Sequence, residues 1–525
     1  GQLRFFPPRY AKTFETWHVN LRDWCISRQL WWGYQIQVWH PEHLPHLEEI
    51  EPATLQSWID TIRGYAREGR IAVQYRGEHV GLVQGERPDG HEVDQPDVFI
   101  CVRDPQDTEV IEFIESVGYV RDEDVLDTWF SSALWPMSTM GWPDSTDLLR
   151  TFNPTNVLST GRDIITLWVS RMVMFNRYFM EGGLPFRDVF IHPLIMDGEG
   201  QKMSKTLGNG VDPNDIIDQQ GADAMRFTLC DMTTSSQDAR ISVDLLCPFT
   251  GQTFEASHIR TKAGHVVAAP VQACPTDPSK KMVTTYGLVS GEATPSDEMP
   301  LALNTSAKFD YGRNFCNKVW NAGRFALGIL ADTTTVDVRL ADLRPIDRWM
   351  LSRLASATRR IDEAVGQYHF SEFAKTIYHG FWNEFCDIYL EAIKPTVHTD
   401  PAQAAVLRTS FECLLRLLHP IIPFVTEAMH EHLRAHPLRE VEGVSLDRAD
   451  LLAGASWPVF DDTVHDVVLE GAIERMLDFG RTVREVRARH NVHRKRLITL
   501  HVDEALGAEI ASAGGMLETL TGVAG

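Results

Sequence analysis

From about residue 309 onward, apolar residues recur at three- and four-residue spacing in runs near 311–330, 345–366, 371–394 and 402–434. Proline-bearing breaks separate the runs, and the pattern predicts a bundle of amphipathic helices. The first half reads differently. "NVLSTGRDIITLWVSRMVMFNRYFM" is a short apolar strand, a turn holding Gly161, and a helix with Ile164, Trp168, Met172, Phe175 and Phe179 on one face; "DVFIHPLIMD" is a second apolar strand. Strand, helix, strand in that order is a parallel βαβ unit, so the expected fold class is α/β, doubly wound, followed by an all-α part. Ligands bind such sheets beyond the carboxyl ends of the strands, which is where the Gly161 turn and the loop after the second strand fall.

Other segments fit the pattern less simply. The first forty residues, dense in aromatics as in "RDWCISRQLWWGYQIQVW", predict a buried segment with strand-like pieces. Residues from about 41 to 120 are polar and bear Pro and Gly, as an inserted subdomain would. Residues 241–307, rich in Thr, Ser, Pro and Gly, predict an irregular insertion. Cys247, His258, His265 and Cys274 lie within it, but their spacing matches no standard zinc knuckle and no metal site is expected. From about 466 a charged helix, a short strand "LITLHV" and a final helical piece follow. The expected domains are therefore 1–240, with the insert at about 41–120, then 241–307, 308–440 and 441–525.

Composition narrows the setting. A chain of 525 residues, 43% hydrophobic, can bury several cores, and about 150 residues per domain suggests two to four. No apolar run has membrane-spanning length and "GQLRFFPPRYAKTF" lacks the zones of a signal peptide, so a cytoplasmic protein is expected. The eight cysteines form no CxxC pair and read as reduced thiols. A net charge of −22 opposes indiscriminate nucleic-acid binding. It leaves room for a local basic surface. "RTVREVRARHNVHRKR", Arg481 to Arg496, has seven Arg or Lys against one Glu and offers Arg487, Arg489 and Arg494 as phosphate contacts.

The loop after the second strand reads "GEGQKMSKTLGN", Gly198 to Asn209, with two lysines three apart between glycines. Ammonium groups on flexible stems suit phosphates that move. A lysine pair alone is usually solvated surface. The string "KMSKTLGN", however, resembles the KMSKS signature of the class I aminoacyl-tRNA synthetases, and it stands after a βαβ unit as that family requires. "RDWCISRQLWWG", "DEDVLDTWFSSALWPMSTMGWP", "GADAMRFTL", "RNFCNKVWNAGRF", "DRWMLSRL" and "LLRLLHPIIPFVTE" look, in order, like the valyl branch of that family; much of 41–120 and 241–307 falls outside the resemblance.

The resemblance implies the second half of a Rossmann-type catalytic domain followed by an anticodon-binding helical bundle. It implies a monomer that condenses ATP and valine to valyl-adenylate, with Mg²⁺ bridging phosphates, and passes the valyl group to tRNA(Val). Lys202 and Lys205, with Ser204 between them, would meet the departing pyrophosphate; Thr206 stands where the signature ends in Ser. Gly161 and Asp163 would meet the ribose, His192 the adenosine, and Trp129, Ile164 and Trp168 the amino-acid side chain. An apolar pocket rejects an isosteric hydroxyl by only about a hundredfold, the known limit of valyl enzymes facing threonine, so the family carries a hydrolytic editing domain. Neither that domain nor the family's H-x-G-H signature is found; His79-Val80-Gly81-Leu82 lacks the last His. The expectation is a C-terminal portion of a longer enzyme. Two alternatives remain at this point, an inactive tRNA-binding relative and an isoleucyl or leucyl enzyme. The 525-residue chain by itself is expected not to support valine-dependent ATP–pyrophosphate exchange, and robust exchange by this chain would contradict that.

Overall fold

The computed structural model describes residues 3–41, 50–75 and 98–493, together with 496, 498–499, 501–502, 507 and 523–524. The chain folds as two compact units, residues 1–191 and 192–525.

In the first unit the strand Phe186–His192 lies between Arg4–Phe6, which runs parallel to it, and Thr155–Gly161. The helix Ser170–Phe179 packs on this sheet, and Phe5, Leu158, Ile165, Val169, Met172, Val189 and Ile191 form the core. The turn out of Gly161 is tight: one 3₁₀ turn, Arg162–Ile164, then a π-helical stretch, Ile165–Val169, precede the regular helix. Such wide turns are common at functional sites.

The opening segment differs from expectation. Arg9–Val19 is a helix with no buried residue, and Trp31 and Trp32 are 99% and 90% exposed. The cause is how the segment is anchored. Trp24 and Arg28 both bond to the Asp127 carboxylate, and Gly33 lies so near Val125 that a Cβ would sit 2.7 Å from its Cγ2. Trp31 and Trp32 occupy the span between these two fixed points.

The polar stretch beyond it carries its own antiparallel sheet, in the order Ile71–Tyr75, Val98–Val102, Val38–Pro41, Tyr119–Arg121, with helices Pro52–Arg67 and Thr108–Ser116. Trp39, Ile71, Ile100, Val102, Val110 and Ile114 make a small core there. His79 to Leu82 lie outside the described residues.

In the second unit, residues 241–307 are ordered rather than irregular. The strands Thr253–Glu255, Asp244–Leu246 and Leu303–Thr305 form one sheet; the pairs His258–Arg260 with Val266–Ala268 and Val271–Ala273 with Lys281–Val283 form two hairpins. Each strand is three residues long, too short for period-two alternation to show, so turn residues dominate the composition. Cys247 and Cys274 bring their sulfurs to 3.5 Å inside the small core, while His258 and His265 are exposed. Among the described residues no group of three His, Cys, Asp or Glu gathers as a metal site.

The bundle comprises Phe309–Ala331, Pro345–Gly366, a continuous helical run from Phe370 to Ile393, Pro401–Leu418 and Pro423–Leu433. The run expected over 402–434 is thus two helices, because Pro420 and Pro423 break it. A further helix, Val467–Arg489, docks on the second through Glu470, which accepts bonds from Ser352 (2.6 Å), Arg353 (2.7 Å) and Ser356 (3.0 Å).

The helix Ala222–Met232 joins the lysine-loop region to the bundle. A Cβ added at Gly312 would lie 2.2 Å from the Ala224 carbonyl oxygen, so the two helices touch backbone to backbone. Asp223 accepts from the N–H groups of Phe424 (3.2 Å) and Val425 (2.7 Å), and Arg226 donates to the carbonyls of Pro420 (2.9 Å) and Ile421 (3.0 Å). These contacts tie the helix Ala222–Met232 to the bundle.

Deep in the bundle Glu412 accepts from Arg408 (3.0 Å) and Arg416 (2.9 Å), and His430 Nδ1 stands 3.4 Å away, too poorly aligned for a hydrogen bond yet within reach of its charge. Burial opposes ionisation of Glu412, but His430, Arg408 and Arg416 outweigh it and hold the carboxyl at about 2. A folded value depressed from 4.5 means the stabilisation is present above pH 4.5 and lost as pH falls toward 2. His430 lies above its ordinary 6.5, where Glu412 outweighs burial, so its share is complete below pH 6.5 and fades as pH rises past its folded value. Glu412→Gln should cost about 3–5 kcal/mol by leaving buried arginines uncompensated. Urea unfolding at pH 6 checks this, and a loss under about 1 kcal/mol would mean that water reaches the cluster.

Candidate active site

Each unit holds one group of the residues singled out from the sequence. In the first, Trp129 heads the short helix Thr128–Ala133, whose N-terminus Asp127 caps by accepting from Trp129 N–H at 2.7 Å. Trp168, on the π-helical turn, donates Nε1–H to the carbonyl of Ser132 on that helix at 3.0 Å and lies against Trp135. Trp129, Ile164 and Trp168 are all half-buried, so each keeps an open face. Gly161 is buried at the end of its strand and Asp163 is exposed on the 3₁₀ turn directly after it. A carboxylate thus stands at the carboxyl edge of the sheet.

In the second unit His192 closes its strand and bonds through Nδ1 to the Pro193 carbonyl at 3.0 Å. A carbonyl only accepts, so Nδ1 carries the proton and Nε2 is presented as an acceptor. Lys202, Ser204 and Lys205 share one loop. Met196 and Lys202 pair across the turn 197–201, and the buried Asp197 carboxylate accepts from Gln201 N (2.8 Å), Gln201 Nε2 (2.9 Å) and Asn209 Nδ2 (2.8 Å). Asn209 Oδ1 accepts from Ser204 N at 2.9 Å, and Ser204 Oγ accepts from Leu207 N at 3.2 Å. Met203 turns inward against Ile216, Ile241 and Phe309. The braces and the apolar anchor leave Lys202 and Lys205 on the exposed side. The arrangement presents two cations on a fixed backbone, as stabilisation of charge on a phosphate requires.

A cleft of about 640 Å³ opens beside this loop, but it is lined by Asp197, Glu199, Asp244 and Glu255. Lys308 lines it too, but four carboxylates outnumber that one cation and make it a poor seat for phosphates.

Residues 1–242 match the family described as tRNA synthetases class I (I, L, M and V), and residues 347–502 match the anticodon-binding domain of tRNA ligases. The chain belongs to the class I tRNA synthetases. It is similar to the valine–tRNA ligase of Rhodopirellula baltica, 36% identical over 98% of this chain and 49% of that protein. It is similar also to that of Thermotoga maritima, 33% identical over 96% of this chain and 43% of that protein. The chain spans about half the length of these curated relatives. The crystallised LeuRS of Agrobacterium radiobacter K84, in ternary complex with tRNA and LeuAMS, overlays at a TM-score of 0.48 and 18% identity, covering 85% of this chain and 43% of that one.

Within this class I synthetase the basic helix needs one correction. Arg487 is buried and donates to the carbonyls of His493 and Arg496, closing the helix end, so it faces no phosphate. Arg484 and Arg489 are exposed, and Arg494 lies outside the described residues. Sequence reasoning also passed over Asp127, Asp197 and Asn209. For Asp197 and Asn209 a local signal was there, since Asp and Asn beside glycines favour side-chain bonds to nearby backbone N–H groups, but nothing local paired the two.

Gly208, at φ +59°, would place a Cβ 2.4 Å from the backbone nitrogen of Tyr286. Gly208→Ala should therefore destabilise the synthetase by about 1–3 kcal/mol and shift the lysine loop. Denaturant unfolding checks it, and a neutral result would mean the loop has room to move.

Proposed function

We propose that the protein is a valine–tRNA ligase, joining ATP and valine to valyl-adenylate and pyrophosphate and then passing the valyl group to tRNA(Val). The observation that carries the reading is the pair of exposed lysines on a loop whose backbone is held by Asp197, Ser204 and Asn209. The relatives named valine–tRNA ligase support the choice of amino acid.

The valine carboxylate attacks the α-phosphorus of ATP, a new P–O bond forms, and the bond to the bridging oxygen breaks. Negative charge grows on the departing pyrophosphate. Lys202 and Lys205 stabilise that charge more in the transition state than in the ground state. Asp163 accepts from the ribose hydroxyls, with the glycine at 161 leaving space for close approach. His192 Nε2 accepts a hydrogen bond from the adenosine. Trp129, Ile164 and Trp168 wall the branched side chain. When bound, Mg²⁺ would be held chiefly by the substrate phosphates and water and would help neutralise their charge. The bundle with its flanking basic helix receives the tRNA, through Arg489 and Arg484 rather than Arg487.

Valine-dependent ATP–pyrophosphate exchange by the gene-encoded protein tests the reading. Preference for isoleucine or leucine would overturn the amino acid, and tRNA binding without any exchange would make the protein an inactive relative. Lys205→Ala should lower kcat roughly a hundred- to a thousandfold with the KM for valine little changed. A loss confined to KM would remove Lys205 from the chemistry. Arg489→Glu should weaken tRNA binding alike across tRNA sequences and make its salt dependence shallower, with the exchange rate intact. Filter binding at several salt concentrations measures this, and unchanged affinity would leave that helix face idle.

A further inference from the structure

All of the segment 241–307 but its first two residues lies outside both family matches, which cover residues 1–242 and 347–502, yet its hydrogen bonds run to the lysine loop. Gln201, immediately before Lys202, reaches the hairpin strand Val266–Ala268. Its Nε2 donates to the Val266 carbonyl at 2.7 Å and its Oε1 accepts from the Val266 N–H at 3.0 Å. One amide thus fills both polar groups of a single residue, which fixes direction as well as distance. The same Nε2 donates to Asp197, so the external contact and the internal brace share an atom.

The far end of the loop is held from the same segment. Asn304 Nδ2 donates to the carbonyls of Gly208 (2.9 Å) and Gly210 (2.6 Å), and Gly208 lies flush against the backbone of Thr285 and Tyr286. Asn304 is itself buried. The two lysines therefore sit between two clamps, at 201 and at 208–210, both supplied by residues 266–304.

We propose that the segment 241–307 is the positioning element of the lysine loop, with Gln201 and Asn304 as positioning residues that hold Lys202 and Lys205 where the pyrophosphate departs. Asn304 acts on the loop backbone and the segment holds Gln201 by its side chain, while both lysines are exposed. A clamp of this kind sets rate rather than affinity, because misplacing a charge by about 1 Å can cost up to a hundredfold in a reaction that depends on alignment. The rate effect rests on the ligase reading above. The holding of the loop does not.

The experiment uses the gene-encoded protein with Gln201→Ala and, separately, Asn304→Ala. For each, valine-dependent pyrophosphate exchange is measured beside thermal melting and the rate of tryptic cleavage after Lys202 and Lys205. The expected result is a kcat lower by roughly tenfold or more, a KM for valine within about twofold, and faster cleavage at both lysines, with melting near that of the unaltered protein. Unchanged kcat and cleavage in both variants overturn the proposal. So does a raised KM with kcat intact, or a rate loss that only follows a lowered melting temperature in both. Absence of exchange by the unaltered protein would defeat the ligase reading instead, and cleavage at the two lysines would then decide the clamp alone.

Discussion

The break between the helices Pro401–Leu418 and Pro423–Leu433 leaves backbone donors and acceptors without helical partners, and one neighbouring helix satisfies them with two charged residues. Asp223 takes the exposed N–H groups of Phe424 and Val425, while Arg226, one turn on, takes the carbonyls of Pro420 and Ile421. Each charge meets the end of the break that carries the opposite partial charge. Burial pushes the Asp223 carboxyl upward and the two N–H groups push it back. This match, with the backbone contact at Gly312, makes the helix Ala222–Met232 a structural member of the bundle.

The same logic recurs at smaller scale in the loop. Asp197 and Asn209 bind backbone that no strand or helix would satisfy, and Met203 supplies the apolar anchor. The Asp197 carboxylate and the Asn209 amide oxygen are occupied with N–H groups. Rigidity of the loop backbone thus comes from one set of bonds, in a loop whose two lysines are exposed.

How much of this was legible in the sequence depended on segment length. Helical runs of twenty residues repeat their apolar spacing often enough to be read, so the bundle and the helix after Gly161 were foreseen closely. Strands of three residues in 241–307 repeat nothing, and their fold was missed. The lysine motif was readable because its string is distinctive, but its braces were not, since Asp197 and Asn209 are twelve residues apart and meet only through the turn. Arg487 shows the reverse error: composition counted it with its basic neighbours, whereas helical phase turns it inward between Val483 and the helix end. The aromatic opening misled for a related reason, because tryptophan density alone does not say which side of a chain finds a partner.

The seam at Gly312 has a mechanical meaning. Where helices meet through long side chains, a small displacement of one is absorbed by rotamer changes before the other feels it. Here, at Gly312, the Phe309–Ala331 helix rests on the carbonyl of Ala224 itself, with the Thr228 hydroxyl beside it and Phe227 packed on Phe315 one turn away. At that point a displacement of one helix meets backbone at once, so the joint has little slack there.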